Sequence, residues 1–475
     1  MQESGCESVI IEEDFDDSEF SAEHREFYSK LYLEPSKLTT RLHFFKTVVK
    51  DITGEELTKA LTANSYLGYV TLRPLAQRTI CDCMISKAVF SSREGTFSPH
   101  HYLLCNTEQE IDIHGVKFPL VGTKGLQQDA RIGACAQVAL KVLNDNMPPG
   151  FTQKPIFTPD ITAIANEIPT TGRSVPTSGL NVFQLVHVLR HMGYQPIAYA
   201  DQGPDDLEKI IYRYIESGFP VILGIKTKTD AHALVVVGHT FSSNMWYPLV
   251  QDDYYGDESD SSSGYLNSVR WVDDFIIMDD NTGPYVQMPK EMIKNIAYCL
   301  IIPLPKEVFL FAEEAELAAN VAVKTLLGTL PSSHSTDLNA SSPSQYYWFE
   351  KFMSNLVKNK MILRTLLITR EKFLEGIADT TGLSAIVKTI YNNLKLPDLF
   401  WLTELSYPDI FCQQRLRFGE VIVDPTADAK QERSALVVHI PSSIWALDTA
   451  TLEYTGYYPI TDDFPYKHVN RLSED

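Results

Sequence analysis

A thiol, an imidazole and a run of carboxylates are spaced along this chain as an acyl-transfer centre would need them. Cys135 stands in Gln127-Gln128-Asp129-Ala130-Arg131-Ile132-Gly133-Ala134-Cys135-Ala136. There a loop gives way to apolar residues at helical spacing up to Leu143, stopped by Asn144-Asp145-Asn146-Met147-Pro148-Pro149-Gly150. A thiol in the first turn of a helix lies beside unpaired backbone N–H groups and the positive end of the dipole. Both favour thiolate, the form that attacks carbonyl carbon. Such a nucleophile needs a base within hydrogen-bond reach, and the base needs a group that fixes its tautomer.

His232 is the best candidate base, because it heads the apolar strand His232-Ala233-Leu234-Val235-Val236-Val237-Gly238 and a strand end faces a cleft from a rigid support. His239, seven residues on, falls on the opposite face of an unbroken strand and reads as structural. The third strand, Phe275-Ile276-Ile277-Met278, ends in Asp279-Asp280-Asn281-Thr282-Gly283-Pro284. Asp279, Asp280 or Asn281 would accept from the imidazole Nδ1–H; Asp279, first past the strand, is preferred and Asp280 is second. A tetrahedral intermediate also needs N–H donors aimed at its oxyanion, and the Cys135 backbone N–H with a side-chain amide would suffice. Gln127 and Gln128 are both available, and Gln128, seven residues before the thiol, is chosen.

Other chemistry is poorly served. Cys81-Asp82-Cys83 is too close for a pair of tetrahedral zinc ligands and no second pair follows. His187 and His191 share a helix face without evident carboxylate or thiol partners. Cys412 and His439 have nothing to orient them as a second site.

The elements that must position these residues can be read in outline. The acidic stretch Glu12 to Asp17 and the region up to about residue 25 read as a disordered tail, and residues 26 to 60 as helices. A β-rich block follows, including Gly68 to Pro74, Tyr102 to Cys105 and Glu110 to Val116. Helices are expected over Ile161 to Glu167, Asn181 to Met192 and Asp205 to Ser217. Apolar strands are expected at Gln195 to Tyr199, Pro220 to Ile225, Ala231 to Gly238 and Phe275 to Met278. Residues 242 to 270 read as a long surface loop. Beyond Pro305, a helix spans Val308 to about Leu327 and a linker Pro331 to Ser344. Strands then fall at Met361 to Thr369, Asp398 to Leu405, Phe418 to Asp424 and Ala435 to Ile440.

Composition narrows the class. With 61 acidic against 41 basic residues the net charge is −20, which argues against nucleic-acid and anionic-membrane partners. The N-terminus has no signal-peptide core, and no apolar run reaches the length of a membrane span. Seven scattered cysteines suit a reducing, cytoplasmic setting.

The segments around Gln128 and Cys135, Gly179-Leu180, Gly218-Phe219-Pro220-Val221-Ile222, Ala231 to Gly238 and Ile277 to Pro284 resemble papain-like cysteine peptidases of the C39-like group. The order Gln, Cys, His, Asp matches over about residues 120 to 305. Two positions depart from the family's usual pattern: Ala134-Cys135-Ala136 replaces Asp-Cys-Gly, and Asp279-Asp280 replaces Asp-Pro.

The resemblance implies an α+β fold, with a nucleophile-bearing helix packed on an antiparallel sheet. The expected organisation is a tail (1–25), an N-terminal helical and β-rich region (26–119), a papain-like catalytic domain (120–305) and a C-terminal α/β region (306–475). It implies a peptidase acting on a protein or peptide substrate through a thioester, with Cys135, His232, Asp279 and Gln128 as catalytic set and no cofactor or metal. The same triad also serves glutamine deamidation or transglutamination, and the fold can serve as an inactive binding scaffold.

Overall fold

A computed structural model describes residues 5–91, 100–129, 135–151, 155–169, 179–200, 207–226, 231–241, 264–414, 416–428, 433–448, 450–462 and 464–468. It is a mixed α/β structure with several sheets. Two compact units divide the chain: Met1–Ile211 with Gly218–Phe241 and Asp273–Lys306, and Tyr212–Ser217 with Ser242–Val272 and Glu307–Asp475.

The first unit holds two sheets. One runs in the order Ser8–Phe15, Thr39–Phe45, Tyr66–Leu72, Ile80–Ser86, Val116–Gly125, Thr107–Ile113, antiparallel throughout. Phe45, Leu57, Tyr66, Tyr69 and Phe118 form its core. Its last two strands join through His114 and Gly115, both at positive φ (49° and 85°), the twist that a two-residue hairpin turn requires.

Several expectations fail in this region. Residues 8–26 are not a disordered tail: Ser8–Phe15 is a paired strand and Ser18–Glu26 a helix. Three of the acidic side chains there, Asp17, Glu19 and Glu23, are buried on protein partners. Asp17 caps the helix by accepting from the Phe20 N–H at 3.0 Å, and Glu19 accepts from the Thr158 N–H and hydroxyl at 3.0 and 2.7 Å. Residues 39–45, expected to be helical, form a strand. The expected domain boundary at 119/120 falls inside the strand Val116–Gly125.

The second sheet runs Gly283–Pro289, Asp274–Asp279, Ala231–Phe241, Val221–Lys226, Ala297–Leu304, Gln195–Ala200, again antiparallel. His100–Leu103 adds to the far end of Ala231–Phe241. The helix Cys135–Asp145 packs on Ala231–Phe241 and buries Val138, Leu140, Val142 and Leu143. The helix Val182–His191 has Asn181 as its N-cap, with its side chain accepting from the Gln184 N–H at 3.0 Å, and Gly193 past its end at φ 98°.

The second unit centres on a seven-stranded sheet ordered Leu266–Asn267, Ile362–Thr369, Leu399–Ser406, Gly419–Val423, Ala435–Ile440, Ser443–Asp448, Glu453–Tyr457. Residues 264–270 are therefore not surface loop. Leu266–Asn267 pairs in parallel with Ile362–Thr369, and Leu266 and Val269 are buried; residues 242–263 lie outside the described residues. The expected linker 331–344 contains the helix His334–Ser341 and the start of Pro343–Val357, with buried His334 bonding the Ser442 hydroxyl at 2.9 Å. Across this sheet Arg364, Glu404, Glu420 and His439 are successive cross-strand neighbours, all buried.

Candidate active site

The antiparallel register that sets Val235 opposite Met278 brings the end of Asp274–Asp279 beside the start of Ala231–Phe241. His232 Nε2 meets Asp279 Oδ1 at 3.0 Å. Cys135, the first residue of its helix, is a half-buried free thiol near enough to His232 to help raise the pKa of the imidazole. The structure thus brings Cys135, His232 and Asp279 together. The ring nitrogen facing the carboxylate is Nε2, however, rather than the expected Nδ1.

Asp279 is held on every side. Its Oδ1 accepts from the Asn281 N–H at 2.9 Å and its Oδ2 from the Thr282 hydroxyl at 2.6 Å. Asp280 Oδ1 lies 3.3 Å from the same Nε2, and its side chain is only 2% exposed. Asn281 Nδ2 sits 3.2 Å from His232 Nε2 and 3.4 Å from Nδ1.

Burial alone would lower the His232 pKa. Hydrogen bonds to Asp279 and Cys135 and the charges of Asp280 and Asp279 outweigh it and push the imidazole up to about 10. Burial would raise Asp279, but bonds from His232, Thr282 and the Asn281 N–H, with the imidazolium charge, hold it down at about 2. Asp280 has fewer compensations: burial, partly offset by His232 and reinforced by Asp279, pushes it up to about 6. The imidazole is therefore protonated at neutral pH, ready to stabilise a neighbouring thiolate.

The two glutamines part company. Gln127 turns toward the first sheet, its Oε1 accepting from the Ile80 N–H at 3.1 Å. Gln128 turns toward the 279–281 turn: its N–H donates to the Asp280 carbonyl at 3.3 Å and its Nε2 to Asn281 Oδ1 at 2.6 Å. Asn281 so stands between the Gln128 amide, from which it accepts, and the imidazole. Residues 130–134, which join Gln128 to the thiol, lie outside the described residues.

Among the described residues, His232, Asp279 and Asp280 form the one group of three potential metal ligands, within 4.8 Å of one another. Nε2 and both Asp279 oxygens are already engaged with each other and with Asn281 and Thr282, so the donor set reads as a charge-paired imidazolium. His187 bonds Glu167 at 2.9 Å, a carboxylate partner that sequence reading did not find. Cys81 and Cys83 are buried, and burial pushes both thiols up. His239 is buried, with Nδ1 on the Thr240 carbonyl at 2.9 Å. The strand has a bulge between Val236 and Gly238, so the odd-offset argument against His239 does not hold. Distance replaces it: seven residues of strand span about 23 Å.

His439 is oriented after all, by Glu420 Oε1 at 2.9 Å and Asp462 Oδ2 at 3.1 Å, but it is fully buried and Cys412 is not its partner. Thr282 was missed in the sequence; its hydroxyl reaches Asp279 side chain to side chain across the turn, while the local side-chain-to-backbone bond there is that of the Asn281 N–H to Asp279.

No family model and no curated protein matches the chain. Among solved structures, it matches the peptidase domain of Streptococcus ComA, a bifunctional ABC transporter involved in a quorum-sensing pathway. Identity is 16% and the TM-score 0.24, over 38% of this chain and 96% of that one. A superposition that loose decides neither fold nor activity. Among the described residues, no helix is long and apolar enough to cross a membrane.

Proposed function

We propose that this protein is a cysteine-dependent hydrolase of papain-like architecture that cleaves peptide or isopeptide bonds through a thioester. The observation that carries the reading is the 3.0 Å pairing of His232 with Asp279 beside the half-buried Cys135 thiol, on elements fixed by strand pairing and helix packing. With Nε2 committed to Asp279, Nδ1 is the nitrogen left to serve the thiol.

Cys135 thiolate attacks the acyl carbon, and the carbonyl electron pair moves to oxygen. The Gln128 amide, turning from Asn281, and the Cys135 N–H receive that oxyanion. His232 gives its proton to the departing amine, which leaves as the thioester forms. It then takes a proton from water as that water attacks the thioester, releasing acid and restoring the thiol pair. Asp279 keeps the ring oriented throughout.

Labelling with a thiol-directed electrophile in wild type and Cys135→Ala, followed by terminal proteomics of a treated proteome, tests the proposal. New peptide termini that depend on Cys135 are expected. A mass shift of about one dalton on glutamine without new termini would move the reading to deamidation. A fully active alanine variant, or an unreactive Cys135, would sink it.

A further inference from the structure

The residues on either side of Gln128 are gripped from the first sheet and its N-terminal helix. Gln127 donates its N–H to the Ile80 carbonyl at 2.8 Å. The Gln127 carbonyl accepts from Arg73 Nη1 at 2.8 Å, and the same nitrogen reaches the Ile80 carbonyl at 2.8 Å. Arg73 is locked in turn by a bidentate pair with Glu23, Nε to Oε2 at 2.9 Å and Nη2 to Oε1 at 2.7 Å. On the other side of Gln128, the Tyr28 hydroxyl donates to Asp129 Oδ2. Arg73 is 1% exposed and Tyr28 fully buried.

A buried Arg–Glu pair adds little net stability and is often replaceable by apolar side chains. With Nε and Nη2 of Arg73 forked onto Glu23, the remaining Nη1 is held in place to donate to two carbonyls at once. Here the fixed carbonyls are those of Ile80, which begins a strand, and Gln127, which precedes the amide facing the imidazole. Gln128 itself bonds the opposite wall, the 279–281 turn. Three consecutive residues are thus tied to two walls of the site.

We infer that Glu23, Arg73 and Tyr28 are positioning residues that set the Gln128 amide for the oxyanion, which makes residues 18–80 part of the catalytic machinery rather than an appended region. The inference rests on the hydrolase reading for its catalytic consequence. The bracing itself does not.

Two small probes separate the effects, since alkylation of Cys135 by iodoacetamide forms no oxyanion and acylation by p-nitrophenyl acetate does. Gln128→Ala should slow acylation about 100-fold and leave alkylation unchanged. Tyr28→Phe keeps the ring packed against Phe20 and Phe27 and removes only the hydroxyl. It should slow acylation about tenfold, again without slowing alkylation. Because Tyr28 acts through Gln128, the double variant should acylate no more slowly than Gln128→Ala alone, whereas a general structural defect would multiply. Arg73→Lys, which keeps the charge against Glu23 but loses the fork, should repeat the pattern.

Hydrogen exchange at amides 126–129 should rise in Tyr28→Phe. An unchanged acylation-to-alkylation ratio, a multiplicative double variant or unchanged exchange overturns the inference. If wild-type Cys135 reacts with neither probe, the hydrolase reading fails, and the exchange measurement still decides the brace.

Discussion

Asp280 stands 3.3 Å from Nε2 of His232, yet neither of its carboxylate oxygens accepts a hydrogen bond from another described residue. It acts on the imidazole as charge alone, while Asp279 acts by charge and by hydrogen bond.

Asp280→Asn should therefore lower the His232 pKa from about 10 without turning the ring. A raised histidine pKa stabilises the fold fully below the unfolded value near 6.5 and loses that contribution as pH rises through about 10. Carbon-13 NMR of the His232 ring across pH 5 to 11 would follow the change. An unshifted midpoint would show that Asp280 carries no charge there.

Asp279→Asn removes the acceptor that orients the ring and should cost at least about 100-fold in acylation rate. Thr282→Val removes one supporting hydroxyl and should cost about threefold. Burst kinetics with p-nitrophenyl acetate ranks them, and equal losses would count against Asp279 as the orienting group.

Gly238 lies where the histidine strand accepts His100–Leu103 as a neighbour, and a Cβ there would stand 2.1 Å from the Tyr102 carbonyl oxygen. Gly238→Ala should destabilise the first unit by at least about 2 kcal/mol. Urea unfolding measures this; a neutral substitution would mean the His100–Leu103 pairing is dispensable.

The second unit has its own pH signature. Burial lowers His439, but the Glu420 charge and the bonds to Asp462 and Glu420 outweigh it and push the ring up to about 9. Its contribution to stability is complete below about 6.5 and fades as pH rises through about 9. The melting temperature of wild type should fall more steeply than that of His439→Gln between pH 6.5 and 10. Parallel slopes would contradict a charged His439.

The positions of Cys135, His232 and Asp279 were legible because each sits at a local transition, loop to helix or strand to turn, that the sequence marks directly. The ring nitrogen was not legible, since it depends on how two strand ends meet. Residues 8–26 were misread because their acidity signals solvation until the partners are known, and Arg73 and Thr158 lie 50 and 139 positions from Glu23 and Glu19. Leu42, Phe44 and Phe45 fit a short helix as well as a strand, and pairing with Tyr66–Leu72 decides for the strand.

The transverse row of Arg364, Glu404, Glu420 and His439 in the C-terminal sheet works as a key. Neighbouring strands present these charges on one face, where Arg417 bridges Glu404 and Glu420 and His468 bonds Glu404. Sliding any one strand by a single residue would turn its charge to the other face and strand its partners without counter-ions. An apolar row would tolerate such a slip far better, so these charges weigh against misregistered pairing of the sheet.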